Sequence, residues 1–290
     1  MNIRKAAVAG QFYGAPAKEC REEIEECLPP RDLKIELPES IVAAIVPHAG
    51  WVFSGSLAAV AFKAIRQVNG DVDTFVIFGA AHRYYGDRPA VYDSGQWETP
   101  LGRIEIDADL SSRIIEQGAD ADLQAHRSEH SIEVQVPFIQ YLFPKAQIVP
   151  VVMPITGTEH TFGARIGRLI SAINDKKIVC VASTDLTHYG PRYGFCPQGT
   201  GPDALRWARE VNDRLFIDTA IRLEAEQLVQ IAIDKGNACG PAAAAVVVAA
   251  AKAMGRSRGL LLGHTTSHDI MLEKFNQPSE ESVGYAAIVF

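Results

Sequence analysis

Histidines stand directly after several of the chain's apolar segments. His48 follows the apolar residues 41–46, and His82 follows residues 74–79. Neutral imidazole is the commonest protein ligand for zinc, iron and copper, so these two histidines are candidates for one metal site. Their separation of 34 residues matches no zinc-finger or zinc-ribbon spacing. Each could instead be a turn histidine that is hydrogen-bonded to the backbone.

A second candidate pair, Asp185 and His188, lies in the segment STDLTHYG. The histidine could act as a general acid or base with the aspartate as its orienting partner, or the aspartate could be a further metal ligand. Asp185 could also cap a short helical turn, which is a common position for aspartate. We favour a functional role for the pair.

Cys239 precedes an alanine-rich apolar segment in GNACGPAAAA, where Pro241 is well placed for a first helical turn. A cysteine at a helix N-terminus has its thiolate favoured by the local positive potential. Cys239 could therefore be a metal ligand or a nucleophile. Taken by itself, a small core residue is the simpler interpretation.

The remaining histidines carry weaker signals. His130, in RSEHSIEVQVPF, could line a site or help to cap a helix. His264 and His268 are four residues apart, a ligand spacing that requires a helix, but the segment follows a predicted strand. We expect His126 and His160 to lie on the solvated surface.

The elements that must position these residues follow from hydrophobic patterning. Apolar segments typical of buried strands alternate with segments of helical periodicity, which favours a largely parallel sheet covered on both faces. The predicted strands span residues 41–46, 74–79, 147–152, 177–182, 259–263 and 284–290. The predicted helices span residues 17–28, 56–67, 108–117, 131–143, 159–173, 203–234 and 242–254.

This pattern predicts a single three-layer α/β/α domain over residues 1–290. In open α/β sheets, ligands bind beyond the carboxyl ends of the strands. The histidines His48, His82 and His264 each follow a predicted strand, as does the segment from Asp185 to His188. We therefore expect the candidate residues to converge at one edge of the sheet.

Composition excludes several classes of partner. The 290-residue chain has a net charge of −7 and no stripe of Lys or Arg, which argues against a nucleic-acid partner. The most apolar run, residues 242–251, is half as long as a membrane span. Five cysteines without paired spacing, and no signal segment, predict a protein of the reducing cytoplasm. The chain has neither a P-loop nor GxGxxG after a strand, and it lacks GxSxG, so nucleotide cofactors and serine-hydrolase chemistry have no support.

Seven segments, in their order and spacing, resemble the Memo family over nearly the whole chain. They are AGQFY at 9–13, PHAGWVFSG at 47–55, GAAHR at 79–83, EHSIEVQVPF at 129–138, STDLTHYG at 183–190, NACGPAA at 237–243 and SVGYAA at 282–287. The family's usual GPSH reads GAAH here, and its usual tyrosine after PHAG is Trp51. Neither change removes a potential metal ligand.

The resemblance implies a fold similar to the class III extradiol dioxygenases, with a mixed sheet between helical layers. It also implies a metal site formed by His48, His82 and Cys239, in a pocket that Asp185 and His188 line, with His130 as the histidine of the EHS segment. The dioxygenases hold iron with two histidines and a carboxylate, whereas here a cysteine replaces the carboxylate.

We therefore expect iron or copper, with dioxygenase-like oxidoreductase chemistry on an unknown small substrate, in which His188, Asp185 and His130 take part. The alternative is a non-enzymatic scaffold that binds a metal, a peptide or a protein. Family gene neighbourhoods imply AMMECR1-like and radical-SAM proteins as partners.

Overall fold

Four parallel strands form the centre of a mixed sheet in the computed structural model, which describes residues 2–290. The strands are β1 (Ile3–Arg4), β2 (Ala43–Val46), β3 (Thr74–Ala80), β4 (Ala90–Val91), β5 (Gln96–Thr99), β6 (Gly102–Glu105), β7 (Asp120–Ala121), β8 (Gln147–Met153), β9 (Ile178–Ser183), β10 (His188–Tyr189), β11 (Leu260–Thr266) and β12 (Ser282–Val289). Within the described residues, the large sheet has nine strands in the order β10-β12-β2-β9-β3-β8-β4-β7, and β11 also pairs with β12. A second, three-stranded sheet has the order β1-β5-β6.

Helices cover both faces of the large sheet. The α-helices are α1 (Ala17–Cys27), α2 (Trp51–Asn69), α3 (Ala108–Glu116), α4 (His130–Glu133), α5 (Val136–Leu142), α6 (Glu159–Ser171), α7 (Pro202–Trp207), α8 (Arg214–Ile221), α9 (Ala225–Lys235), α10 (Pro241–Ala253) and α11 (Ser267–Phe275). Short 3₁₀-helices span Gln124–His126 and Pro191–Tyr193, and a π-helical turn, Ala208–Asp213, joins α7 to α8.

The side chains of the sheet alternate between two hydrophobic cores. On β3, Val76 and Phe78 belong to the core with α6, α9 and α10, while Phe75 and Ile77 belong to the core with α1, α2 and α5. This alternation is the two-residue period of a strand, and both faces are apolar because both are covered. The structure thus confirms the predicted three layers with a mostly parallel, mixed sheet: β2, β9, β3 and β8 are parallel, while β12 runs antiparallel to β2 and β4 runs antiparallel to β8.

The alanine-rich helix α10 lies between the sheet and α6. The side chains from Ala242 to Ala251 are buried. Gly163 of α6 lies so close to α10 that an added Cβ would clash with the Val246 carbonyl oxygen. Small residues on both helices therefore allow the backbones to approach closely, and they fix α10, whose N-terminus lies beside the candidate site.

Some boundaries differ from the prediction. The helix expected over 56–67 begins at Trp51, directly after the cap residue Gly50. The strand expected over 259–263 extends to Thr266, so His264 lies inside β11 and not beyond its end. None of the helices within residues 2–290 combines the length and the apolar character that crossing a membrane requires.

The prediction that His126 is solvated is wrong. Its side chain is fully buried, its Nε2 lies 3.0 Å from the Ala90 carbonyl oxygen, and its ring packs edge-on against Tyr92 and Trp97. Burial lowers the pKa of His126 to about 3, so the ring is neutral. His160 is half-exposed beside Glu226.

Candidate metal centre

Three histidines from three separate elements meet at the carboxyl edge of the sheet. His48 follows β2, His82 follows β3, and His130 is the first residue of α4. Each offers a ring nitrogen, and these nitrogens all lie within 4.8 Å of one another. The ring centroids are 5.2 Å apart for His48 and His82, and 4.6 Å apart for His82 and His130. This cluster could hold a metal ion.

Glu129 holds His82 in place. Its buried carboxylate accepts hydrogen bonds from the His82 backbone N–H at 3.1 Å and from the Ser131 N–H at 2.8 Å, and it lies 2.9 Å from the His82 Nδ1. Burial acts to raise the pKa of Glu129, but the hydrogen bonds from His82 and Ser131 outweigh it and lower the pKa to about 2. An ionised carboxylate can only accept, so the His82 Nδ1 carries a proton, and in the neutral ring the lone pair is on Nε2.

The rings of His48 and His130 are held neutral by their surroundings. His48 is only 2 % exposed. Burial and the neighbouring His82 lower the pKa of His48 to about 3. Burial and the other two histidines lower the pKa of His130 to about 4. Neutral imidazole is the form that binds metals, so at neutral pH no proton would compete with a metal for these two rings.

Cys239 lies against His48, outside the group of three histidines. Its Sγ is 3.1 Å from the His48 Nε2, and it accepts a hydrogen bond from the Asp185 N–H at 3.3 Å. Burial and the nearby Asp185 raise the pKa of the Cys239 thiol above its ordinary value. The helix N-terminus therefore does not favour a thiolate at Cys239, because the cost of burying the charge outweighs the helix potential.

Asp185 is buried and bonds to the turn that carries His48. Its Oδ1 accepts from the backbone N–H groups of His48, at 2.7 Å, and of Ala49, at 3.3 Å. Burial raises the pKa of the Asp185 carboxyl above its ordinary value. The hydrogen bond at the His188 Nδ1 is made with the Leu186 carbonyl oxygen, at 3.0 Å, so Asp185 does not orient that ring. Asp185 also caps no helix, since the segment from Thr184 to Thr187 is irregular.

A cavity of about 510 Å³ opens above the cluster. The three clustered histidines, Asp185 and His188 line its floor and wall, and Phe12, Phe53 and Tyr285 add aromatic surface. Trp51, the aromatic residue after PHAG, belongs to the core: it is 3 % exposed and donates from Nε1 to the Val134 carbonyl oxygen. Imidazole nitrogens and a thiol sulfur beside a cavity of this size fit a transition metal with room for a small molecule.

The structure brings together all six predicted site residues, but it groups them differently. His130, predicted to act in catalysis, is the third member of the histidine cluster. Cys239, predicted as the third ligand, contacts His48. His264 and His268 are elsewhere: His264 Nε2 is 2.9 Å from Asp213, and His268 Nδ1 is 2.8 Å from the Ser279 carbonyl oxygen.

Sequence reasoning missed the supporting residues of the site. Glu129 stands beside His130 in the sequence but holds His82, which is 47 residues away. Ser183 and Gln135 lie behind His48, and nothing in their sequence context predicts that contact. The only local signal was that of Glu129, whose carboxylate accepts from the Ser131 N–H and caps α4.

Comparisons with known proteins agree on one family. A family model described as Memo-like protein matches residues 4–289. A MEMO1 family protein of Thermococcus onnurineus is 38% identical over 298 residues, which cover 99% of each chain. A MEMO1 family protein of Pyrococcus furiosus is 37% identical over 302 residues, which cover 99% of this chain and 98% of the relative.

Among solved structures, an uncharacterized protein of Escherichia coli K12 is 15% identical, with a TM-score of 0.48, and the match covers 84% of this chain and 99% of that chain. The match to the family model and the identity to these relatives both extend over nearly the whole chain. The chain therefore belongs to the Memo family.

Proposed function

We propose that this protein binds a redox metal, iron or copper, through His48, His82 and Cys239, and that it carries out oxidoreductase chemistry on a small substrate. The observation that carries the proposal is that the ring nitrogens of His48 and His82 meet at the floor of one cavity, and that the Cys239 sulfur lies 3.1 Å from the His48 Nε2. Imidazole together with thiolate favours copper or iron over magnesium or calcium, which prefer oxygen ligands. Such a metal, when bound, would supply one-electron and dioxygen chemistry.

His188 is the residue proposed to move protons. Its Nδ1 is held by the Leu186 carbonyl oxygen, which accepts only, so the neutral ring keeps a lone pair on Nε2. The ring lines the cavity and is only partly buried. A histidine with one nitrogen anchored and the other directed at a substrate is suited to act as a general base or acid. We propose that Asp185 contributes by holding the turn that carries His48.

Either Cys239 or His130 could be the third ligand of the proposed site. His130 belongs to the histidine cluster and Cys239 touches His48, so each is close enough to complete a site with His48 and His82. We propose Cys239 as the ligand, because a thiolate is the stronger ligand for iron and copper. His130 would then line the cavity beside the metal.

Metal analysis tests this assignment directly. The protein is purified without oxygen, and bound iron and copper are measured for the wild type and for single variants. His48→Ala and Cys239→Ser should each lose the metal, while His130→Asn should retain most of it and His160→Ala, a change far from the cavity, should retain all of it. Retention by His48→Ala refutes the site. Loss in His130→Asn together with retention in Cys239→Ser makes His130 the third ligand.

Turnover separates an enzyme from a scaffold. The metal-loaded protein should consume O₂ in the presence of a suitable small substrate. Loss of this activity in His188→Ala, with the metal content unchanged, supports the oxidoreductase. Tight metal binding without turnover supports the non-enzymatic alternative.

AMMECR1-like and radical-SAM partners are tested by co-purification from cells. A cytoplasmic location, which agrees with the five free cysteines, is tested by fractionation.

A further inference from the structure

A chain of buried hydrogen bonds lies behind His48, on the side away from the cavity. The His48 Nδ1 is 3.2 Å from the Ser183 Oγ. The Ser183 hydroxyl donates to the Ser131 carbonyl oxygen at 2.6 Å. The Gln135 side-chain amide donates to the same Ser183 Oγ at 3.0 Å and to the Pro47 carbonyl oxygen at 2.7 Å. The side chains of Ser183 and Gln135 are completely buried.

The orientation of the Gln135 amide follows from its partners. The Pro47 carbonyl oxygen can only accept, so the nitrogen of the amide must face it, and the second hydrogen of that nitrogen points to Ser183. The amide keeps this orientation although its Oε1 then has no hydrogen-bond partner among the described residues. The direction of the Gln135–Ser183 hydrogen bond is therefore settled: the amide donates and the hydroxyl accepts.

The hydrogen bond from Ser183 to Ser131 determines which ring nitrogen of His48 carries the proton. A hydroxyl has one hydrogen, and Ser183 uses it on the Ser131 carbonyl oxygen, which is acceptor-only and lies at 2.6 Å. Ser183 can therefore only accept from His48. A lone pair on the His48 Nδ1 would face a lone pair on Ser183, so the Nδ1 must carry the proton. The Nε2, 3.1 Å from the Cys239 sulfur, then keeps its lone pair.

We propose that Ser183 and Gln135 are positioning residues that hold metal-free His48 in the Nδ1–H tautomer. They keep the Nε2 lone pair directed at the candidate metal position before any metal arrives. A ligand whose orientation and tautomer are fixed by a second set of residues binds metal more tightly, and loss of such a partner commonly lowers affinity 10- to 100-fold. The consequence for affinity rests on the proposed metal-binding function, whereas the tautomer itself does not.

Nuclear magnetic resonance of the metal-free protein tests the tautomer without any metal or activity. Long-range ¹H–¹⁵N correlation of ¹⁵N-histidine-labelled protein near pH 7.5 distinguishes Nδ1–H from Nε2–H, and the spectrum of His48→Asn identifies the His48 signals. The wild type should show His48 as Nδ1–H. Finding Nε2–H there overturns the proposal, whatever the metal content of the protein.

Variants then test which residues set the tautomer. Ser183→Ala and Gln135→Met should each reduce the Nδ1–H fraction of His48, and Ser183→Thr, which keeps the hydroxyl, should retain it. Ser111→Ala is the matched control, because Ser111 is equally buried and its hydroxyl makes no side-chain hydrogen bond. Should Ser183→Ala fail to fold, Gln135→Met decides, since it leaves the serine in place. An unchanged Nδ1–H fraction in the folded variants overturns the proposal.

Affinity gives an independent readout that separates this inference from the proposed function. The affinity is measured by titration with Zn²⁺, a redox-inert probe. Ser183→Ala should bind Zn²⁺ 10- to 100-fold more weakly than the wild type, and Ser183→Thr should bind it about as tightly as the wild type. A wild type that shows the Nδ1–H tautomer but binds no Zn²⁺, Fe²⁺ or Cu²⁺ refutes the proposed function and leaves the tautomer assignment standing. Equal affinity of Ser183→Ala and the wild type overturns the positioning role.

Discussion

Metal binding should release one proton from Cys239. Burial and Asp185 raise the pKa of this thiol above its ordinary value, so the metal-free protein holds it protonated throughout the neutral range. A cysteine ligates as the thiolate, and its proton must therefore leave when the metal binds. His48 and His130, with pKa values of about 3 and about 4, are already neutral and release nothing.

The expected magnitude follows from proton linkage. One proton released per metal makes the apparent affinity rise about tenfold for each pH unit, which is about 1.4 kcal/mol. The useful window is about pH 7.5 to 8.5, because any histidine of ordinary pKa, about 6.5, is mostly neutral there. Isothermal titration calorimetry with Zn²⁺ in two buffers of different ionisation enthalpy counts the protons directly. Cys239→Ser should bind more weakly and release close to none.

Equal proton release by the wild type and by Cys239→Ser refutes the reasoning, because the proton then comes from a group other than the thiol. A wild type that releases no proton also refutes it, since the thiol would then either be ionised before binding or take no part in ligation. His130→Asn is the matched control: it removes a neutral ring beside the same cavity and should leave the proton count unchanged.

Three further predictions concern stability. His126→Phe should make the free energy of unfolding less dependent on pH in acid. The buried ring has a pKa of about 3 against about 6.5 in the unfolded chain, so it lowers the stability of the wild type by about 1.4 kcal/mol for each pH unit between these values. Urea unfolding from pH 7 to 5 measures this dependence, and the same dependence in the variant and the wild type contradicts the prediction. Arg4→Met should destabilise the fold by about 3–5 kcal/mol by stranding the buried Glu133, and adding Glu133→Gln should recover part of this in thermal unfolding. Gly163→Ala should cost about 1–3 kcal/mol, because its Cβ would meet the Val246 carbonyl oxygen; an unshifted melting temperature would argue against that close contact.

The sheet and the place of the site could be predicted because they depend on local patterns. A short segment that is apolar on both faces of a strand needs a covering layer on each side, and the rule that ligands bind at carboxyl strand ends brought His48 and His82 to one edge. The same rule misplaced His264, because the strand continues past Gly263 as β11. Hydrophobicity alone does not show whether the strand ends before or after His264, because the two threonines that follow this histidine also favour a strand.

The environment of single polar residues could not be predicted, because it depends on distant partners. His126 sits in a polar stretch, yet Arg4, 122 residues away, bonds to its carbonyl oxygen and stacks on Trp97 nearby. Ser183 forms hydrogen bonds with Gln135 and Ser131, which are separated from it by 48 and 52 positions in the sequence. A residue's type tells which bonds it can make, but only the fold decides which partners are within reach.

The same dependence on the fold explains how the first and last proposed ligands come to be neighbours. Cys239 is 191 residues from His48, and Asp185 forms hydrogen bonds with both. Its carboxylate accepts from the His48 N–H, while its backbone N–H donates to the Cys239 sulfur and its carbonyl oxygen accepts from the Cys239 N–H at 3.2 Å. Because backbone groups take part in each of these contacts, the His48–Cys239 distance depends on the path of the chain at residue 185 as well as on the carboxylate. Asp185 thus links the two segments, and the His48 Nε2 and the Cys239 Sγ lie 3.1 Å apart.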